Sequence, residues 1–269
     1  MKCNLDFWKH KNVVYELVRK NVKTQYRNSF LGMLWTVLHP LLNMLIMWLV
    51  FSQFFGKGDP LYPIYLLAGN IMFQLLRSAT DGALTSIVSN RGLLSRAKIS
   101  PYLFPLSITL SSIVNFAFSF ISLILIMLGM QIFGGYNLFG YQMLGVVLML
   151  PAMVLFCYGI ALFLSSMYVF FRDVKHLYGV FLTLWTYITP LFYKLDAINS
   201  NALVVKVVKL NPMYYFVTYF RDAVYNACFV GASFADWGML GLLYGLGAIS
   251  VVVGYGVYAL TKKHFMMHV

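Results

Sequence analysis

The amino-acid sequence predicts an all-α polytopic membrane protein, and two of its properties carry that prediction. Hydrophobic residues make up 61% of the 269 residues and charged residues only 10%, which is more apolar surface than a globular core of this length buries. Several apolar stretches also exceed the roughly 20 residues that a helix needs to cross about 30 Å of hydrocarbon. The alternating segments of about ten residues that are typical of a transmembrane barrel do not occur.

The charge and cysteine content argue against a nucleic-acid-binding or metal-binding chain. The formal net charge is +12, but the positive residues form no soluble basic face interleaved with stacking aromatics, so nucleic acid is not an expected partner. Cys3, Cys157 and Cys228 lack the spacing of metal ligands and are interpreted as small hydrophobic residues. The first apolar run starts near Phe30, so no cleavable signal peptide is expected.

Residues 1–29 are predicted to form a cytoplasmic amphipathic interface helix. Within 7–26, apolar and basic residues occupy different faces at helical spacing. The apolar positions are Val14, Leu17, Val18 and Val22, and the basic ones are Lys11, Arg19, Lys20 and Lys23. Such a helix lies in the membrane interface, either as an anchor or as a surface on which a cytoplasmic partner docks.

Residues 30–260 are predicted to form the transmembrane domain, with six helical spans. By apolar length and turn residues these cover about 30–55, 61–83, 102–133, 141–168, 177–193 and 237–260. The third span is longer than necessary and is expected to be broken or tilted near Pro105. The last is rich in glycine, which indicates close helix packing. Residues 261–269 form a short tail.

Residues 194–234 separate the fifth and sixth spans and are too mixed for a complete span. Amphipathic 202–210 and the helix-interrupting pair Asn211 and Pro212 favour two short re-entrant or interfacial helices, because broken backbone at membrane depth is tolerated where protein shields it.

The distribution of basic residues predicts the orientation. Of the 20 Lys and Arg residues, fourteen fall in residues 1–29, the 84–102 connector, the 169–176 loop and the tail, and five fall in the opposite segments. The richer side is expected to be cytoplasmic, which places both termini inside.

One pair of charges falls inside a predicted span. Arg77 and Asp81 lie four residues apart on one face of the second helix. Charges at that depth are costly unless they are paired or face a polar cavity, so an ion pair near the cytoplasmic boundary is expected.

The sequence lacks the motifs of an energy-converting enzyme. It has no GxxxxGK[ST] phosphate loop, no metal-type grouping of its five histidines and no recognisable Ser/His/Asp set. We therefore expect a membrane subunit that is not itself an enzyme, binds no cofactor and draws its energy from elsewhere.

Four stretches then form a recognisable series along the chain. They are KTQYRNSFLGMLW at 23–35 with Pro40, NRGLL at 90–94 continuing to Pro101 and PLS at 105–107, FFRDV at 170–174, and LNPM at 210–213. In this order the chain resembles the permease subunit of type-2 ABC exporters, in the branch that exports lipid-linked polysaccharides such as O-antigen, capsule and teichoic acid.

The resemblance implies a homodimer in a bacterial inner or plasma membrane, paired with two copies of an ABC nucleotide-binding protein that uses ATP and Mg. It implies an interface helix before the first span, a coupling helix over 90–100 and gate helices within about 195–230. It also implies a substrate channel lined by aromatics of the first and fifth spans, for which the candidates are Trp35, Trp48, Tyr178, Phe181, Trp185 and Tyr187. For each of these an interfacial belt or simple packing is the alternative.

Two further sets of residues, most of them basic, are predicted to have a role. Near the cytoplasmic entrance, Lys23, Tyr26 and Arg27 are expected to receive the diphosphate of a polyprenyl-diphosphate-linked glycan. Residues expected to couple the permease to the ATPase are Arg91, Arg96, Lys98, Arg172 and Asp173. The alternatives left open are a permease of the same fold for drugs or another small hydrophobic substrate, a membrane-embedded enzyme of envelope-lipid chemistry, and a passive channel.

Overall fold

A computed structural model describes residues 11–26, 34–52, 59–96, 99–135, 139–195, 202–224 and 236–262. The all-α prediction is confirmed, because these residues form helices and turns and contain no strand. The helices are α1 (Lys11–Tyr26), α2 (Leu34–Phe51), α3 (Tyr62–Leu84), α4 (Ser86–Ser89), α5 (Arg91–Arg96), α6 (Leu103–Gly134), α7 (Leu144–Phe170), α8 (Val174–Ile188), α9 (Ala202–Leu210), α10 (Pro212–Val224) and α11 (Trp237–Thr261).

Four helices in the described ranges are long and apolar enough to cross a membrane. They are α2, α6, the segment Tyr141–Phe170 that contains α7, and α11. The other two predicted spans correspond to α3, which carries Arg77 and Asp81, and to α8, which has only 15 residues. The six-span count therefore stays a prediction.

Two predicted boundaries are corrected by the positions of prolines. A break near Pro105 is wrong, because α6 runs continuously from Leu103 and Pro105 falls in its first turn, where a missing N–H removes no helical hydrogen bond. The fifth span was expected to reach 193, but α8 ends at Ile188. Pro190 disfavours helical backbone at the preceding residue, and Thr189 is accordingly extended.

The core is organised around α3, which contacts α2, α6, α7, α8 and α10. Most of its residues are buried, among them Tyr62, Leu67 and Leu76. The exposed residues of α3 are confined to one narrow face: Gln74, Arg77, Asp81 and Gly82. The helix therefore has one open face and packs against other helices elsewhere.

The glycine-rich α11 packs closely along α7, as its composition predicts. A Cβ atom on Gly254 would overlap the carbonyl oxygen of Gly159, and one on Gly247 would press on the carbonyl oxygen of Ala152. The Ser250 hydroxyl donates to the carbonyl of Phe156 at 2.9 Å. These two glycines therefore permit the backbones of α7 and α11 to approach each other closely.

The N-terminal helix α1 packs against the first half of α6. Val14 and Leu17 are buried in this contact. The side-chain amide of Asn21 points at the hydroxyls of Ser107 and Ser111 at 3.4 and 3.5 Å. Because α6 has 32 residues and is about 48 Å long, against about 30 Å of hydrocarbon, it has ample length beyond a span to hold α1.

Candidate functional site

Four of the six predicted channel aromatics lie on the surface of the chain. Trp35 and Trp48 of α2 are 43% and 42% exposed, and Phe181 and Tyr187 of α8 are 47% and 67% exposed. Both helices pack on α3. Large aromatic faces are therefore presented on the two helices that accompany the open face of α3.

The other two predicted channel aromatics are buried and hydrogen-bonded inside the protomer. The Tyr178 hydroxyl donates to Oγ1 of Thr80 on α3 at 2.6 Å. The Trp185 indole N–H donates to Oδ1 of Asn211 at 2.6 Å. These contacts fix α8 to α3 and to the start of α10. Both side chains therefore hold α8 in position.

The open face of α3 is polar. Gln74, Arg77 and Asp81 are exposed, and Ser78 is half-buried beside them. The prediction of an ion pair is wrong. Among the described residues, the side chains of Arg77 and Asp81 form no hydrogen bond or ion pair with each other. An exposed i,i+4 pair contributes only about 0.3–0.5 kcal/mol, so little holds the two side chains together.

A polar groove, here called the α1 groove, begins on the surface of α1 and continues between α1, α3 and α6 as three adjoining cavities. The outermost, of about 450 Å³, is lined by Glu16, Arg19, Lys20, Lys23 and Thr24. The middle cavity, of about 520 Å³, shares Lys20 and Thr24 with it. The innermost, of about 370 Å³, is reached through side chains that line both it and the middle cavity: Gln25, Ser78, Ser112 and Asn115.

The predicted diphosphate entrance falls partly in this groove. Lys23 is exposed and lines the outermost cavity together with Arg19 and Lys20. Arg27 lies outside the described residues, as does the side chain of Tyr26. The three cations outnumber the single carboxylate of Glu16, which makes the outer cavity attractive to anions.

At the opposite end of α3 lies a group of residues here called the Arg221 cluster. The Arg221 side chain, only 5% exposed, donates from Nη1 to the carbonyl of Pro190 at 2.6 Å, from Nη2 to that of Leu191 at 2.8 Å and from Nε to that of Tyr65 at 3.2 Å. Its guanidinium lies 3.5 Å from the centre of the Tyr65 ring.

Two tyrosines and an ion pair extend this cluster. The hydroxyls of Tyr62 and Tyr65 donate to the carbonyls of Phe192 and Tyr193. Lys194 Nζ lies 2.6 Å from the Asp59 carboxylate. The segment 190–194 after α8 is thus fastened to α3 and α10 almost entirely through its backbone oxygens.

Asn211 connects this end of the bundle to α8. Besides accepting from Trp185, its Oδ1 accepts from the backbone N–H of Met213 at 3.0 Å, and its Nδ2 donates to Oγ1 of Thr189 at 2.8 Å. The sequence singled out LNPM at 210–213 as a motif. The structure shows that Asn211 caps α10 and ties it to the end of α8.

Three of the five predicted ATPase-coupling residues lie at the end of the bundle that also holds the C-terminal ends of α3 and α7. Arg91 begins α5 and is exposed, and Arg172 and Asp173 are exposed in the turn between α7 and α8. Ile87 and Val169 pack in one small cluster beneath them. Lys98 and the side chain of Arg96 lie outside the described residues.

Residues 12–225 match the family described as ABC-2 type transporter. The chain belongs to this family. It is 28% identical over 225 residues to the O-antigen export system permease protein RfbA of Myxococcus xanthus, covering 82% of this chain and 83% of that protein. It is 26% identical over 266 residues to the RfbA protein of Klebsiella pneumoniae, covering 98% and 97%. A shorter match of 93 residues, 28% identical, covers 34% of this chain and 36% of the polysialic acid transport protein KpsM of Escherichia coli.

As an ABC-2 permease the chain is a multi-pass membrane protein and a transport subunit. Its sequence contains no phosphate-binding loop of its own. In the part of the permease that the structure describes, no group of three His, Cys, Asp or Glu residues is arranged to hold a metal ion.

Neither polar centre of this permease, the Arg221 cluster or the α1 groove, was predicted from the sequence. Arg221 was counted only as a loop charge, and the α1 groove was not foreseen. A signal for the groove exists, because Ser107, Ser111, Asn115 and Ser119 recur every four residues and so share a face of α6. Gln74 and Ser78 show the same spacing on α3.

Proposed function

We propose that this permease is the channel-forming subunit of an ATP-driven exporter that moves lipid-linked polysaccharide out of the cytoplasm across the inner or plasma membrane. The relatives' roles in O-antigen export and polysialic acid transport support this substrate class. The observation that carries the proposal is the open face of α3, on which Gln74, Arg77 and Asp81 lie exposed while α2 and α8 present aromatic side chains.

That face supports assembly as a homodimer. Charges within a membrane-spanning helix are costly against lipid and are found facing protein or water. A second copy placed against α2 and α8 encloses the open face of α3 and converts it into the wall of a channel. Weak, repeated contacts with exposed Trp35, Trp48, Phe181 and Tyr187 then let a polymer slide without being held at one site.

The finer topology is proposed as six spans with both termini cytoplasmic. Under this arrangement α3 and α8 cross the membrane as the second and fifth spans. Helices α9 and α10 then lie at the outer side as gate helices, beside the Arg221 cluster. The excess of Lys and Arg in the segments on the other side supports this orientation.

Energy is supplied by two copies of a separate ABC nucleotide-binding protein, which uses ATP and Mg. The proposed contact residues are Arg91, Arg96, Lys98, Arg172 and Asp173. Exposure of Arg91, Arg172 and Asp173 at the same end of the bundle supports this role. Lys23, Tyr26 and Arg27 are proposed to attract the substrate diphosphate, a role supported by the cationic lining of the outermost cavity.

The decisive experiment is deletion of the gene followed by analysis of lipid-linked saccharides on the cytoplasmic face of the membrane. We expect a polyprenyl-diphosphate-linked glycan to accumulate, and to disappear when the gene is restored. In reconstituted complex, ATPase activity stimulated by lipophilic drugs and indifferent to lipid-linked glycan contradicts the proposed substrate. Catalytic turnover of an envelope lipid, or solute flux, by the permease alone contradicts the proposed class of function.

The coupling role is tested by charge reversal. The variant R91E/R96E/K98E is expected to lose co-purification with the nucleotide-binding subunit and to stop transport, because its contact surface changes sign. A matched variant, K206E/K209E, reverses two charges of α9 and is expected to leave the assembly intact. Unchanged co-purification and transport in the first variant rule out the 90–100 connector as the contact.

A further inference from the structure

The innermost cavity of the α1 groove has a lining unlike the rest of the groove. It lies between α2, α3 and α6 and has a volume of about 370 Å³. Trp35, His39 and Phe116 contribute ring surface, and Pro40, Ile71 and Leu75 contribute aliphatic surface. Side chains that bear amide or hydroxyl groups contribute the polar part of the wall: Gln25, Thr36, Gln74, Ser78, Ser112, Asn115 and Ser119.

No Lys, Arg, Asp or Glu lines this cavity in the part of the chain that the structure describes. The cations of the groove are Arg19, Lys20 and Lys23, and they line the outer and middle cavities. A phosphate in the innermost cavity would lie away from all three, and burying an anion without a partner is costly. The lining therefore fits a neutral ligand that has both polar groups and apolar faces.

Several polar atoms of the wall are available to such a ligand. Ser119 is 9% exposed, and neither its hydroxyl nor the Gln74 amide makes a hydrogen bond to the described residues. Gln25 accepts a hydrogen bond from Asn115 at 3.1 Å, which leaves its own amide nitrogen to donate elsewhere. Ser78 and Ser112 donate to carbonyls of their own helices, and their oxygens retain the capacity to accept.

Aromatic surface beside several amide and hydroxyl groups matches the chemistry of a sugar ring. The C–H face of the sugar packs on an indole, while its hydroxyls both donate and accept hydrogen bonds. A hydrophobic tail would pack on the apolar part of the wall but leave its hydroxyl and amide groups unsatisfied, at a cost in free energy for each buried group.

We propose that the innermost cavity of the α1 groove is a carbohydrate-binding site that holds neutral sugar residues of the transported glycan near the start of its path. This inference rests on the proposed export of lipid-linked polysaccharide. It adds a site, lined in part by Trp35, that selects the glycan through hydrogen bonds, as distinct from the exposed aromatics Trp48, Phe181 and Tyr187, along which any polymer slides. A site built to bond hydroxyls discriminates strongly against ligands that lack them.

The test uses the complete complex with its nucleotide-binding subunit in lipid nanodiscs. ATPase activity is titrated with the polyprenyl-diphosphate-linked glycan that accumulates in the deletion strain, and separately with sugar-free polyprenyl diphosphate. The variants are Asn115→Leu, Gln74→Leu and Ser119→Ala. The control is Thr109→Val, which changes a hydroxyl of α6 that bonds its own helix and lines none of the three cavities.

Asn115→Leu and Gln74→Leu are each expected to raise the half-stimulating concentration of the glycan substrate about tenfold, the equivalent of about one hydrogen bond. Ser119→Ala is expected to raise it less, and Thr109→Val not at all. The half-stimulating concentration of sugar-free polyprenyl diphosphate is expected to stay unchanged in every variant. If Asn115→Leu fails to assemble, Gln74→Leu still provides the test, because Gln74 is exposed and its replacement is not expected to disturb the fold.

The contrary outcomes are distinct. If the wild-type complex responds to the glycan but the variants respond equally well, the carbohydrate site is refuted and the proposed function stands. A shift that follows the anionic phospholipid content of the nanodisc would identify the occupant as lipid, and loss of the dimer would identify it as the second protomer; both refute the site. A wild-type complex indifferent to every lipid-linked glycan refutes the proposed function and this inference together.

Discussion

The two ends of α3 both carry many polar groups, but they use them in opposite ways. In the Arg221 cluster the guanidinium, two tyrosine hydroxyls and a lysine are directed at backbone carbonyls and a carboxylate of the same chain. In the α1 groove, hydroxyls and amides line about 370 Å³ and about 520 Å³ of open cavity. The polar groups of the Arg221 cluster are already hydrogen-bonded or paired within the chain. Those of the α1 groove can still form hydrogen bonds to a ligand.

This difference indicates which polar residues stabilise the fold and which are available to a substrate. A buried polar group that is fully bonded fixes the position of its neighbours, and its loss leaves those neighbours unsatisfied. A polar group facing a cavity contributes little until a ligand arrives. Substitutions at the first end should therefore change stability, and those at the second should change transport.

The largest effect is expected from Arg221→Leu. The buried carbonyls of Pro190 and Leu191 lose their donor, at about 1–3 kcal/mol for each group left unsatisfied, and the guanidinium contact with the Tyr65 ring is lost as well, so we expect a loss of at least about 3 kcal/mol in the free energy of unfolding. The measurement is an SDS-unfolding titration of purified protein in detergent. Arg172→Leu, at an exposed turn, is the control and should leave this free energy unchanged. A stable, transport-deficient Arg221→Leu protein would overturn the comparison.

A smaller loss, of about 2 kcal/mol, is expected from Asn211→Leu, because Asn211 holds the Trp185 indole, the Thr189 hydroxyl and the backbone of Met213 together. Trp185→Phe removes one of these bonds and should cost less. In a double-mutant cycle the two losses should add to more than the loss of the double variant, because they share one bond. Simple additivity would show that the Trp185–Asn211 bond does not contribute.

Gln74→Leu in the α1 groove should change the free energy of unfolding by less than about 0.5 kcal/mol, as exposed substitutions usually do. The same variant should nevertheless weaken the response of the complex to glycan. Both quantities can be measured on one preparation. Destabilisation as large as that of Arg221→Leu would mean that this end, too, is a structural centre.

The smallest effect in the Arg221 cluster is expected from Lys194→Met. The Lys194 side chain is 37% exposed, so water screens its pair with Asp59 and the loss should be about 0–1 kcal/mol. Unfolding measured at low and high salt should show a difference between wild type and variant that shrinks as salt rises. A larger, salt-independent loss would place this ion pair among the saturated contacts of the cluster.

Much of the fold could be predicted because it depends on properties that are local in sequence. Apolar length located α2, α6, α7 and α11, and helical spacing of Val14 and Leu17 located the buried face of α1. Proline placement was misjudged twice, since Pro105 is harmless in a first turn and Pro190 ends α8 early. The effect of a proline depends on which backbone groups already lack a partner at that position.

For the candidate site, the sequence by itself determined which residues are aromatic or basic, and the family to which the chain belongs. It could not determine that Tyr178 and Trp185 turn inward while Phe181 and Tyr187 face outward, because helical spacing sets the relative directions of these side chains but not which side of α8 packs against α3. Only the tertiary structure decided this, by placing Thr80 and Asn211 at 2.6 Å from the two inward side chains. Arg221 reaches Tyr65 from 156 positions away in the chain, and no local pattern records such a contact, because its free energy arises only when α3, α8 and α10 have packed together.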